Sequence, residues 1–225
     1  MILAVETSTN ICSVSFQDTQ GKIHEKRTER KGSHSELLFI FIRELMEELN
    51  IEIADLDAVL VSNGPGSYTG LRIAASAVKG LLFGLDVEVY AANTLAGFAQ
   101  GGQELVKNSD ANVIHAVINA RRNHLYHQQF SYEDSLTPIT EAAILELEAI
   151  EAMLEEGHLI VGTGIERLSD DKRKRTEVYG TEAVHAGSLI KLFNSASKES
   201  VFSKTKPEEL ESNYISSSQV NNTTV

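Results

Sequence analysis

The sequence predicts an α/β protein whose central strands are mostly parallel and covered by helices. Three observations predict it. The first 30 residues read as a meander of three short strands separated by polar turns. From Ser33 to Val106, helical and strand-like runs then alternate. A shorter, looser series of the same kind begins again at Val113.

"ILAVE" (Ile2 to Glu6) is apolar throughout and predicts a buried strand. "ICSVSFQD" returns with period two, setting Cys12, Val14 and Phe16 on one face and Ile11, Ser13 and Ser15 on the other. "KIHEKRTE" carries the charge of an edge strand. Ser33 and Glu36 make an S-x-x-E capping box ahead of an apolar run, predicting a helix from there to about Asn50. Asp57 to Ser62 follows as a strand, Tyr68 to Leu85 as a helix, "VEVYA" as a strand and Thr94 to Val106 as a helix. In the second half, Val113 to Ala120 and His124 to Phe130 pair across "RRN". A helix around Glu146 to Glu156, the strand "HLIVG" and a helix near Glu182 to Ala196 complete it. This order divides the chain into a first subdomain at 1–106 and a reduced second one at 107–215, C-terminal helices included. The polar end, 216–225, is expected to be a disordered tail.

The 225 residues are 42% hydrophobic and 23% charged, an ordinary globular balance. No apolar run approaches the roughly 20 residues of a membrane span, and the N-terminus has no signal-peptide pattern. With one cysteine, Cys12, no internal disulfide can form, so a cytoplasmic location is expected. The net charge of −12 argues against unaided nucleic-acid binding, because neutralising phosphates needs a basic face. "KRTERK" and "KRKR" are short basic clusters flanked by acids, which reads as solvated surface.

"VSNGPGSYTGLR" (Val61 to Arg72) joins a strand to a helix through Gly64, Gly66 and Gly70. Backbone N–H groups at a helix start attract anions, so the turn could be a phosphate cradle. It misses the P-loop pattern, since Leu71-Arg72 stand where Lys-Ser/Thr belongs, and Thr69 occupies the third glycine of a dinucleotide fingerprint. Asp86 lies at the distance of a ribose contact. The other reading is that the glycines permit a tight turn and close helix packing.

Two helices carry more apolar surface than one sheet can cover. "LLFIFI" (Leu37 to Ile42) is apolar all around its axis. Leu38, Ile42, Leu45 and Leu49 can face the sheet, which leaves Leu37, Ile40 and Phe41 pointing outward. In the helix from Tyr68, Ser76, Gly80 and Gly84 form a stripe of small residues beside Ala74, Ala75 and Ala77. Such surfaces mark partner contacts.

No complete catalytic set is legible. The seven histidines include no H-x-x-x-H pair, and His124 and His127 would point to opposite faces of a strand. Cys12 has no histidine in a nucleophile motif, and no G-x-S-x-G elbow occurs. Glu6, at a strand terminus, is the one acid placed to meet a ligand. The residues by themselves leave open a partner-binding subunit and a stand-alone nucleotide-binding enzyme of the sugar-kinase/actin-like class; a metallopeptidase-like protein is a third class only by family resemblance.

"ILAVETSTNICSVSF", "HSELLFIFIREL", "GPGSYTGLRIAASAVKGL", "NTLAGFA" and "INARRNHLYHQQF" stand in the order and spacing of the TsaB (YeaZ) family. The chain resembles that family from Met1 to about Gly164. The resemblance implies an actin-like ATPase-domain fold (ribonuclease H-like) with two related subdomains, the second reduced. It also implies a non-catalytic partner of TsaD in forming N6-threonylcarbamoyladenosine (t6A) on tRNAs that read codons beginning with A. TsaD carries the transfer, TsaE is a further ATP-hydrolysing partner, and TsaC makes the threonylcarbamoyl-adenylate donor. The catalytic relative has Asn-His-x-x-x-His for metal; the matching stretch here is Asn93 to Phe98, with Thr94 and Phe98 at the ligand positions. A hydroxyl and a phenyl ring cannot replace two imidazoles, so the resemblance implies no metal site and no catalytic residue.

It further implies a heterodimer with TsaD, a ternary complex with TsaE, a homodimer in isolation and tRNA met through the complex, with no membrane. The contacts it implies are His34, Leu37, Phe41, Leu45, Arg72, Ala75, Ser76 and Lys79, with Gly64, Gly66 and Gly70 as a phosphate-loop remnant. No cofactor is expected on the chain alone, and the resemblance leaves room for ATP or ADP at the partner interface. One departure is recorded: the family often ends in Pro-x-Tyr-Leu-Arg, whereas "ESNYISSS" has Ser212 for the proline and Ile215-Ser216 for Leu-Arg.

Overall fold

A computed structural model describes residues 1–30, 32–106, 112–213 and 215. In chain order the elements are β1 (Ile2–Glu6), β2 (Cys12–Gln17), β3 (Ile23–Thr28), α1 (His34–Leu49), β4 (Ala58–Gly64), α2 (Tyr68–Leu81), β5 (Glu88–Asn93) and α3 (Thr94–Leu105). The second half holds β6 (Val113–Asn119), β7 (His124–Tyr132), β8 (Leu136–Pro138), β9 (Ala143–Glu146), α4 (Leu147–Met153), β10 (Leu159–Gly162), α5 (Asp170–Arg175) and β11 (Glu177–Tyr179). It closes with α6 (Gly187–Phe193), α7 (Lys198–Val201) and β12 (Phe202–Thr205).

The first sheet runs β12-β5-β4-β1-β2-β3, with β1, β4 and β5 parallel and an antiparallel strand pair beyond β1. The second runs β11-β10-β6-β7-β8, with β9 also paired to β7. Period two assigns the faces of the first sheet. Leu3, Val5, Val59 and Val61 join Cys12, Val14 and Phe16 in the core beneath α1 and α2. Ala4 and Leu60 point the other way and are covered by Leu189 and Ile190 of α6. Helix α3 lies between the sheets, packing on strands of both, and its Leu95, Ala96 and Phe98 anchor the second core.

Four expectations change. The capping box at Ser33 does not form: its hydroxyl donates to the Arg30 carbonyl and makes no cap bond. Helix α2 stops at Leu81, so Gly84 lies in the following turn at φ 77°. The single helix expected near Glu182 to Ala196 is a 3-10 turn at Thr181–Ala183 followed by the shorter α6. The C-terminal segment does not stay in the second subdomain. Strand β12 pairs antiparallel with β5, Phe202 meets Phe193 edge-on at 5.5 Å, and Leu210 is buried in the first core. Returning there buries two large apolar side chains and covers the open edge of β5. The tail at 216–225 lies outside the described residues, as does Tyr214.

Candidate functional site: a spent glycine turn, an interlobe cleft and an apolar helix face

The glycine turn is packed against the end of β1. Thr7 Oγ1 donates to the Gly70 carbonyl at 2.8 Å, and the Thr7 carbonyl fills the space a Cβ on Gly70 would need. The Ser8 carbonyl accepts from Ser67 N at 2.6 Å, and a Cβ on Gly66 would sit 2.6 Å from that same oxygen. Gly64, at φ 124°, is crossed by the C-terminal segment: the Asn213 carbonyl occupies its Cβ position, while Asn213 N donates to Asn63 O at 2.7 Å. Three N–H groups of the turn are already committed, Gly64 to Thr94 Oγ1, Ser67 to Ser8 and Gly70 to Ser67 Oγ. All three glycines therefore serve close approach of neighbouring backbone, and this donor set fits a phosphate poorly.

Glu6 holds this corner from beneath. It is buried and accepts from Ser8 N, Ser8 Oγ and Ser62 Oγ. Burial raises its pKa, against the opposing effect of those three hydrogen bonds. The acid singled out in the sequence thus faces inward, and its work is to fix the Thr7-Ser8 turn on which Gly66 and Gly70 rest.

In front of the turn a cleft of about 900 Å³ separates the two sheets. Thr9, Asn10, Gly66 and Thr69 line one wall; Asn119, Arg121 and Gly162 to Gly164 line the other. Two shallower grooves of about 770 and 510 Å³ flank α1 and α2, and Phe39 lines both. At 48% exposure Phe39 is a ridge between them, with Arg72 and Ser76 exposed alongside and Lys79 half-buried. Arg72 stacks its guanidinium over the Tyr68 ring at 3.9 Å. Tyr68 and Thr69 border both the smaller groove and the cleft.

The implied contact residues divide. His34, Leu45 and Ala75 are buried within the chain, so their placement on a partner face is corrected. His34 Nε2 bonds the Ile11 carbonyl at 3.0 Å, and Leu45 continues the buried row of Leu38 and Ile42. Leu37 and Phe41 are half-buried and pack against the first core. Phe39 was missed. A usable signal existed: it sits at i+4 from Ser35 and i−4 from Arg43, in an otherwise polar row of the helix.

The metal positions have structural occupants. Thr94 is buried and accepts from Gly64 N, and Phe98 is packed in the second core. Neither side chain fits a metal. Among the described residues no group of three or more His, Cys, Asp or Glu is arranged to hold one. Cys12 is buried, and burial with the nearby Glu6 charge pushes its thiol up to about 12.

Three histidines do meet, although no sequence spacing announced it. His115 Nδ1 lies 3.0 Å from His127 Nε2, and His115 Nε2 lies 3.0 Å from His158 Nδ1. Burial lowers His115 to about 3, helped by the two neighbouring imidazoles, and lowers His127 to about 4. His124 points elsewhere, toward Glu146. The three belong to β6, β7 and the loop before β10, so only strand order unites them.

The comparisons agree with this architecture. A family model described as "TsaD: tRNA N6-adenosine threonylcarbamoyltransferase" matches residues 16–214. The chain is 30% identical over 173 residues to the tRNA threonylcarbamoyladenosine biosynthesis protein TsaB of Haemophilus influenzae, covering 72% of each. Among solved structures, an uncharacterized protein with similarity to peptidase YEAZ from Pseudomonas aeruginosa superposes with a TM-score of 0.80 at 26% identity, covering 96% of this chain and 99% of that one. YeaZ from Pseudomonas aeruginosa gives 0.77 at 25% identity, covering 95% and 99%. No helix among the described residues is long and apolar enough to cross a membrane. With its actin-like fold and this likeness along most of its length, the chain belongs to the TsaB family and acts in the biosynthesis of threonylcarbamoyladenosine on tRNA.

Proposed function

We propose that the chain is a non-catalytic subunit that docks onto TsaD through the exposed face of α1 and α2. It pairs with a second copy of itself when TsaD is absent, and it admits TsaE to the assembled pair. The observation that carries this reading is Phe39, a large apolar side chain held out between two grooves. Arg72, Ser76 and Gly80 continue the exposed face, and a Cβ on Gly80 would meet nothing within 4 Å, so the chain's own packing does not require that glycine. The structural duties of Thr94 and Phe98 support the non-catalytic part.

A nucleotide at the partner interface, ATP or ADP, would be held by side chains such as Arg72. Three N–H groups of the glycine turn, those of Gly64, Ser67 and Gly70, are committed to the chain's own acceptors. Co-expression with TsaD and TsaE from the same source tests the reading. The wild-type chain is expected to co-purify with TsaD and to restore t6A on tRNA in the reconstituted mixture, while the chain alone transfers no threonylcarbamoyl group. Transfer by the isolated chain would overturn it.

A further inference from the structure

The hairpin turn between β6 and β7 holds two successive arginines in the left-handed region, Arg121 at φ 71° and Arg122 at φ 47°. Glycine takes that conformation without a Cβ penalty and asparagine offsets it by local hydrogen bonding, so arginine is a poor choice for the turn itself. The turn is nevertheless well defined: Arg121 N donates to Asn119 Oδ1, and His124 N donates to the Arg121 carbonyl. Both side chains are exposed, and among the described residues neither pairs with a carboxylate. Of the other cations in this half, Lys174 is exposed and unpaired among the described residues, and three are engaged. Arg175 pairs with Asp171, Lys172 Nζ donates to the Leu154 carbonyl, and Arg167 donates to Asn119 Oδ1 and the His124 carbonyl.

Arg121 and Arg173 both line the cleft. Arg173 pairs with Asp170 through Nη2, and its Nε is buried without an acceptor. Arg121 thus brings one unpaired positive charge to a cleft that Glu29 and Glu166 also line, and Arg122 follows it in the turn, in a chain whose net charge is −12. Backbone strain retained at an exposed, unpaired cationic site points to a ligand that uses it. Planar guanidinium groups without carboxylate partners suit phosphate oxygens.

We propose that Arg121 and Arg122 contact the phosphodiester backbone of tRNA, with Arg173 behind them in the cleft wall. This rests on the reading that the chain works within a complex with TsaD, because an acidic chain alone is repelled by RNA. The contact is sequence-independent and adds two phosphates to the footprint of the complex.

The test is tRNA binding by the complex of this chain with TsaD, measured against salt with an unmodified transcript. Arg121→Gly with Arg122→Asn removes both charges and relieves the backbone strain. Its melting temperature is expected to hold or rise, while affinity falls roughly tenfold at moderate salt. The slope of log affinity against log salt should become shallower by about 1.5 to 2. Arg121→Lys with Arg122→Lys keeps the charge and should keep most of the slope. Unchanged affinity and slope in the Gly/Asn variant would overturn the contact, as would a loss confined to free nucleotide. Failure of the wild-type chain to assemble with TsaD would overturn the contact together with the reading beneath it. An assembled, t6A-competent complex indifferent to the arginines would sink the contact alone.

Discussion

Thr7 and Gly70 clasp each other: the Thr7 hydroxyl donates to the Gly70 carbonyl at 2.8 Å, and the Thr7 carbonyl stands in the space of a Gly70 Cβ. The end of β1 and the start of α2 are thereby locked at backbone contact. A methyl group at Gly70 has to displace main chain, which is costlier than displacing the far end of a side chain. Gly70→Ala is expected to destabilise the protein by about 2–4 kcal/mol. Gly80→Ala, on the same helix with open space at Cβ, should stabilise it by roughly 0.5–1 kcal/mol. Urea midpoints at constant m-value check both.

Phe39 and Leu45 separate the proposed partner face from the core. Phe39→Asp places a charge on a half-exposed ridge and should change folding stability by less than about 0.5 kcal/mol. The same change should weaken association with TsaD by several kcal/mol, since the charge would be desolvated in the interface. Leu45→Asp buries an unpaired charge beneath α1 and should prevent folding. Circular dichroism and a pull-down against TsaD distinguish them. A folded Phe39→Asp chain that retains full affinity would remove this face from the interface.

Glu6 is held by three donors, so truncating it orphans Ser8 N, Ser8 Oγ and Ser62 Oγ together. Glu6→Ala should cost about 2–4 kcal/mol. Glu6→Gln keeps an acceptor for Ser8 N and, being neutral, avoids the burial of charge, so its cost should be about 1 kcal/mol. Denaturant titration of the two variants at pH 7 gives the comparison.

The histidine chain makes stability fall on the acid side of neutrality. His115 and His127 titrate at about 3 and about 4 when folded, below the ordinary value of about 6.5. Above pH 7 both are neutral in either state and contribute no pH dependence. As pH falls below 6.5 the unfolded chain takes up protons that the folded one excludes, so stability is lost progressively down toward the folded pKa values. At pH 5 the loss is roughly 2 kcal/mol for each group. Glu6, raised by burial, acts with the opposite sign at lower pH. His127→Gln keeps a donor toward His115 and cannot titrate, so the loss between pH 7.5 and 5 should shrink by about 1–2 kcal/mol. An unchanged pH profile would show that His127 is not excluded from protonation.

Much of the fold was legible because its signals are local. Period two in residues 11–16 placed Cys12, Val14 and Phe16 on one face, where the core lies. The turn that carries Gly64, Gly66 and Gly70 was also visible as a strand-to-helix junction. Its purpose was not, since Thr7, Ser8 and Asn213 approach it from elsewhere in the chain. The row of α1 that faces outward was misjudged for a similar reason: six consecutive apolar residues make every direction around the axis look alike.

The sequence by itself determined the α/β class and the order of its main strands and helices, because each depends on residue type and short-range spacing. Only the tertiary structure decided that Phe39 is the exposed ridge, that β12 returns to the first sheet, that three histidines form a chain and that Arg121 and Arg122 stand strained in one turn, with Arg121 lining the cleft. Those relations join residues as far apart in the chain as Val89 and Thr205. They follow from strand order and from which face each core leaves uncovered, and no local period encodes either.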